Sequence, residues 1–114
     1  MPFFYRLVTP KYAAQSVIES FKNYRDAVCW SWENRPCHGM DRLMDQSVCA
    51  KHIGVTPQVL SRCVNRDSKA PMELSPDCLP DFEAYTGWKA PKQFLDRIHG
   101  DVSMEQVMAE RKAA

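Results

Sequence analysis

The sequence predicts a mainly α-helical fold of five or six helices in a single domain spanning residues 1–114, with room for a short N-terminal strand. Three observations carry that expectation. Apolar residues recur at helical spacing along most of the chain. Capping residues followed by proline stand at Thr9-Pro10, Thr56-Pro57 and Ser75-Pro76, a pattern that opens helices. The stretch QSVCAKHIGVTPQVLSRCVN, residues 46–65, sets a glycine between two short helical patterns.

The N-terminal arm, residues 1–9, contains FFYRLV. If extended, it puts Phe3, Tyr5 and Leu7 on one side and Phe4, Arg6 and Val8 on the other. Thr9-Pro10 then opens one long amphipathic helix through KYAAQSVIESFKNYRDAVCWSW, with Ala14, Val17, Ile18, Phe21, Ala27 and Trp30 on its apolar face. Asn34, Arg35 and Pro36 end it. CHGMDRLM reads equally as a loop or a short helical turn. A second helix is expected from about Asp45, its cap, to Ile53, broken by Gly54. A third runs from Thr56-Pro57 to about Asn65, and RDSKAPMEL is a polar loop. Ser75-Pro76 opens another helix through Tyr85, closed by Thr86-Gly87. APKQFLDRIHG makes a further helix with Gly100 as its stop. Ser103 and Gln106 delimit a capping box that opens a C-terminal helix over residues 103–112.

At 114 residues, 45% apolar and 25% charged, the chain has the make-up of an ordinary soluble domain. No run approaches the ~20 apolar residues of a membrane helix, and the N-terminus lacks the pattern of a signal peptide. The expected location is the cytoplasm, with no membrane partner. Fifteen basic and 14 acidic residues give a net charge of +1, so the distribution of charge matters more than its sum. RCVNRDSK, residues 62–69, is basic, whereas MELSPDCLPDFEAY is acidic.

None of the five cysteines forms a C-x-x-C pair. Cys29, Cys49 and Cys63 lie inside apolar helical patterns, which suits buried free thiols in a reducing compartment. Cys37, His38, Cys49 and His52 are the one cluster with a metal-like composition. Adjacent Cys37 and His38 are poorly spaced for a structural zinc arm, so no metal is expected. Nothing brings His38, His52 or His99 to a thiol, and four glycines supply no phosphate loop. The expectation is a protein that is not an enzyme and takes no cofactor. Trp30, Trp32 and Trp88, with Phe21, read as core rather than as an aromatic surface for a partner.

Two short helices joined by a tight turn containing glycine form a helix-turn-helix unit. In residues 46–65, Ala50 is small where the helices cross, Ile53, Val55 and Leu60 fill the wedge, and Gly54 suits a left-handed turn. Counted from Gln46, the stretch resembles the helix-turn-helix of the Cro and lambda-repressor family of phage regulators. Glutamine stands first, alanine fifth, isoleucine eighth, glycine ninth, valine tenth and leucine fifteenth, with Cys63 and Val64 at the last core positions. The resemblance covers about a fifth of the chain. ELSPDCLPDFEAYTGWKAPKQFLDRI is loosely similar to the region after the motif in small phage and prophage regulators, including the CII-like group. Pro57, twelfth in the motif where the family often carries a base-contacting glutamine, and the long first helix are departures.

The resemblance implies a lambda-repressor-like domain acting as a sequence-specific transcriptional regulator, a repressor or an activator, of phage or prophage origin. It would bind double-stranded DNA as a homodimer, reading the major groove with a recognition helix at about 56–65. Thr56, Gln58, Ser61, Arg62 and Asn65 lie on the outward face of that helix. Gln58 suits adenine and Arg62 suits guanine or a phosphate. Gln46 stands where family members contact a phosphate, and Lys51, Arg66 and Lys69 add attraction to the backbone. The competing reading of these residues is a solvated helix face. The alternative function is a helical protein-interaction module, such as an antitoxin or an inhibitor of a host system, which the low net charge and Pro57 favour. The arm and the C-terminal helix, with Met104, Val107 and Met108 in a stripe, are the rival dimer elements.

Overall fold

The computed structural model describes residues 7, 9–36 and 39–100. The strand expected in the arm, Cys37 and His38, and the C-terminal helix expected over 103–112 lie outside the described residues. Those residues form six α-helices: α1 (Gln15–Ser20), α2 (Tyr24–Glu33), α3 (Arg42–Ile53), α4 (Pro57–Val64), α5 (Leu79–Thr86) and α6 (Ala90–Ile98). A 3₁₀ turn, Pro76–Cys78, leads into α5. The mainly helical class is the one the sequence predicts.

The single long helix expected after Thr9-Pro10 is not what forms. Residues ahead of α1 are tied down by tertiary bonds that a helix could not make. The Lys11 N–H donates to the Gly87 carbonyl at 2.9 Å, and Lys89 returns a bond to the Lys11 carbonyl at 2.8 Å. The buried Gln93 side chain then grips Ala13 twice, accepting from its N–H at 2.8 Å and donating to its carbonyl at 3.0 Å. Thr9 therefore caps nothing, and α1 begins at Gln15.

A second break falls at Phe21–Asn23. Asn23 is extended, and its side chain accepts from the Asp26 N–H at 2.8 Å. The Asp26 carboxylate accepts from the Lys22 N–H at 3.1 Å, so the two side chains cap the new helix reciprocally. The bend carries Phe21 into edge contact with Trp30 and Phe94, at centroid distances of 5.9 and 6.4 Å. Trp30 meets Trp88 at 4.8 Å, and Trp32 stacks on Tyr85. The tryptophans pack into the domain, as expected.

Asp45 is not the cap of α3 either. The helix starts a turn earlier, at Arg42, where Asp41 accepts from the Met44 N–H at 2.9 Å. Asp45 instead turns inward. It is 4% exposed, accepts from the Tyr85 hydroxyl, and pairs with Arg35 at 2.5 Å. α2 packs against α4 and α6, and α3 packs against α4 and α5. Ile18, Val28, Ala50, Leu60, Leu74, Phe82 and Tyr85 fill the space between them.

Cys29, Cys49 and Cys63 are buried free thiols. Burial pushes the Cys63 thiol up to about 11, so it stays protonated and unreactive at neutral pH. Glu83 on α5 is also buried, and burial raises its pKa despite Lys89 and Lys92. The folded protein thus holds the Glu83 proton more tightly than the unfolded chain. Its stability falls as pH rises from the ordinary glutamate range through the raised folded value. Glu83→Gln should be more stable than the wild type at pH 7, with the gap closing at about pH 4 and below. Urea denaturation at the two pH values checks this, and a less stable variant at pH 7 would show that the lysines outweigh burial.

Candidate nucleic-acid interface

The α3–α4 pair is joined by Gly54, Val55 and Thr56. Gly54 sits at φ 84°, in the left-handed region that glycine enters without strain. The N–H groups of Gly54 and Val55 both return to the Ala50 carbonyl at 2.9 Å, closing α3 with a Schellman-type turn. Thr56 then caps α4, accepting from the Val59 N–H at 3.2 Å, and Pro57 takes the first helical position, where its missing donor costs nothing. Ala50 and Leu60 are fully buried and Ile53 nearly so, which seals the inner side of the pair.

On the outer side, a groove of about 390 Å³ runs between the two helices. Its lining is Leu43, Gln46 and Ser47 from α3, with Pro57, Gln58, Ser61 and Arg62 from α4. Four sequence-predicted residues thus line one feature. Gln58 and Arg62 are solvent-exposed there, and Ser61 is half-buried. Thr56 is exposed at the start of α4, Lys51 near the end of α3, and Lys69 in the loop after α4.

Three of the predicted residues, Gln46, Asn65 and Arg66, bond within the fold. Gln46 stands one turn inside α3 because the helix begins at Arg42, so it is not at the N-terminus where the resemblance would place it. It is 4% exposed and donates to the Asn65 side chain at 3.2 Å, while Asn65 donates to Ser61 Oγ at 2.8 Å. This chain of side chains ties the two helices together. Arg66 is exposed but reaches back to α2, pairing with Asp26 and, at 2.8 Å, with Glu33. Burial raises the Asp26 pKa, but hydrogen bonds from Arg66 and the Lys22 N–H outweigh it and hold the carboxyl below its ordinary value.

Three residues carry no signal of an interface role in the sequence. Leu43 and Ser47 flank Gln46 on α3 and line the groove. Leu43 falls in a segment whose pattern does not distinguish loop from helix. Arg25, on α2, donates to the Arg62 carbonyl at 3.3 and 3.2 Å and to the Asn65 carbonyl at 2.5 Å. Its guanidinium satisfies carbonyls at the C-terminal end of α4 and complements the negative end of that helix's dipole. This contact spans about forty residues of chain, so no local pattern could announce it.

Elsewhere, a larger groove of about 610 Å³ is lined by Tyr24, Leu74, Pro76, Phe94, Leu95 and Ile98, among others. Cys49, a member of the cysteine and histidine cluster, is sealed in the core. Among the described residues, no three His, Cys, Asp or Glu side chains gather as a metal site would require. No helix of the described residues is long and apolar enough to cross a membrane. No family model, curated protein or solved structure matches the chain.

Proposed function

We propose that this chain is a sequence-specific DNA-binding regulator of the Cro and lambda-repressor kind, of phage or prophage origin, that lays α4 in the major groove. The observation that carries the reading is the α3–Gly54–α4 turn. Its cap, left-handed glycine and buried Ala50 and Leu60 hold α4 in one orientation, with Gln58 and Arg62 outward. Gln58 can pair bidentately with adenine, and Arg62 with guanine or a phosphate. Lys51 and Lys69 add charge near the backbone, whereas Arg66 contributes less because Asp26 and Glu33 already hold it. The half-buried chain from Gln46 through Asn65 to Ser61 positions α4 instead of gripping a phosphate. A two-fold homodimer would set two such helices about 34 Å apart, one turn of DNA.

Arg62→Ala tests this. The side chain is exposed, and the bonds from Arg25 and Met72 go to the Arg62 backbone carbonyl, so the fold should survive its truncation. Losing one base contact costs about 1–3 kcal/mol, so affinity for specific fragments should fall at least several-fold with an unchanged Tm. Unchanged affinity would remove α4 from the reading role.

A second reading has its own support. The 610 Å³ groove is rimmed by Ile98, an exposed large hydrophobic residue, and suits a helical protein-interaction module such as an antitoxin or an inhibitor of a host system. That reading expects no binding to DNA.

A further inference from the structure

Leu43 is 77% exposed, more than any other large hydrophobic side chain among the described residues. A lone exposed leucine is ordinary on a protein surface, but this one is not alone. It shares the outer groove of the α3–α4 pair with exposed Pro57, and both stand beside Gln58 and Arg62. The groove therefore combines an apolar lip, an amide and a guanidinium.

The surroundings favour an anionic partner with a small apolar group. Arg42, next to Leu43, is exposed, and the Asp41 carboxylate is turned back onto the Met44 N–H. The major-groove edge of an A·T pair presents two matching features side by side. Adenine offers the acceptor and donor that a glutamine amide reads, and thymine offers its C5 methyl group.

We propose that Leu43 and Pro57 seat a pyrimidine C5 methyl, that of thymine, in the base pair whose adenine Gln58 reads. This rests on the DNA-binding reading above. Leu43 is then a specificity-determining residue, and Pro57, which departs from the family pattern, gains a function in place of the glutamine it replaces. 5-Methylcytosine carries the same methyl, so the chemistry alone does not choose between the two bases. Gln58 does, because the partner of 5-methylcytosine is guanine.

The probe is the duplex that the full-length protein enriches from a random-sequence duplex library, resynthesised with uracil in place of thymine one position at a time. Loss of one buried methyl corresponds to about a four-fold drop in affinity. The wild type should show that drop at one thymine per half-site, and Leu43→Ala should bind the thymine and uracil duplexes alike. The variant should fold normally, since alanine at an exposed helical position costs nothing relative to leucine. A drop of equal size in wild type and variant overturns the assignment to Leu43. Thymine and uracil duplexes bound equally by the wild type overturn the methyl seat and leave the regulator reading standing. Enrichment of no duplex overturns both. Exchanging the A·T pair for G·5-methylcytosine keeps the methyl and should still weaken binding, while retained affinity would overturn the choice of thymine.

Discussion

Asp45→Ala should lower the unfolding free energy by about 3 kcal/mol or more, the largest loss expected of any single change outside the apolar core. Asp45 is 4% exposed and answers two groups at once, the Tyr85 hydroxyl and the Arg35 guanidinium. Arg35 is held on its other side by the Trp32 ring, 3.8 Å from its carbon centre, and by the Trp32 carbonyl at 2.7 Å. It could not follow solvent outward without giving up that stack. The variant leaves a largely buried cation without its counter-charge and takes the carboxylate from Tyr85, which joins α5 to α3. Burial, and then the Asp45 carboxylate, raise the Tyr85 pKa, so its hydroxyl remains a donor throughout the working range. For a domain of this size the Tm should fall by on the order of 10 °C. Tyr85→Phe, which keeps the ion pair, should cost only about 1 kcal/mol. Equal losses from the two variants would place the energy in the hydroxyl rather than in the charge pair.

Ala50→Leu should be nearly as damaging, and it should also abolish DNA binding. Ala50 has no exposed surface, and its carbonyl closes the turn by accepting from both Gly54 and Val55. Extra carbons there must push α4 away from α3 or distort that turn. Overpacking of this kind costs about 1–3 kcal/mol, a large share of a small domain's margin of about 5–15 kcal/mol. Because α4 carries Gln58 and Arg62, its displacement moves the reading face even in molecules that remain folded. Thermal melting and DNA binding measured on the same sample separate the two effects. A variant that melts and binds like the wild type would show that the helices do not meet at Ala50.

What could be read from the sequence was mostly what is decided locally. Thr56, Gly54, Gly87 and Gly100 act where they stand, through a side-chain cap or a left-handed backbone, and the ends of α3, α4, α5 and α6 follow from them. The elements that departed from expectation are settled at long range. Asp41 and Asp45 are equally good caps by residue type, and Asp45 is drawn inward by Tyr85, forty residues away. Thr9-Pro10 is a sound helix start that loses to Gln93, which holds Ala13 across eighty residues. The break at Asn23 needs Phe94 to receive Phe21, and no periodicity within residues 11–32 contains that information. The groove shows the same division. Gln58 and Arg62 follow from helical phase, whereas the inward turn of Gln46 depends on Asn65, and the prominence of Leu43 depends on where α3 begins.

The most direct test of the central claim is the salt dependence of DNA binding. Fluorescence anisotropy with labelled double-stranded fragments would follow the full-length protein from about 50 to 200 mM salt, the range over which phosphate contacts weaken most visibly. A regulator that reads DNA through α4 should bind a subset of fragments tightly. Its log affinity should fall linearly with log salt, and Arg62→Ala should weaken binding to that subset at least several-fold. A protein that binds no fragment even at the lowest salt would contradict the account and leave the groove around Ile98, with a protein partner, as the surface that matters.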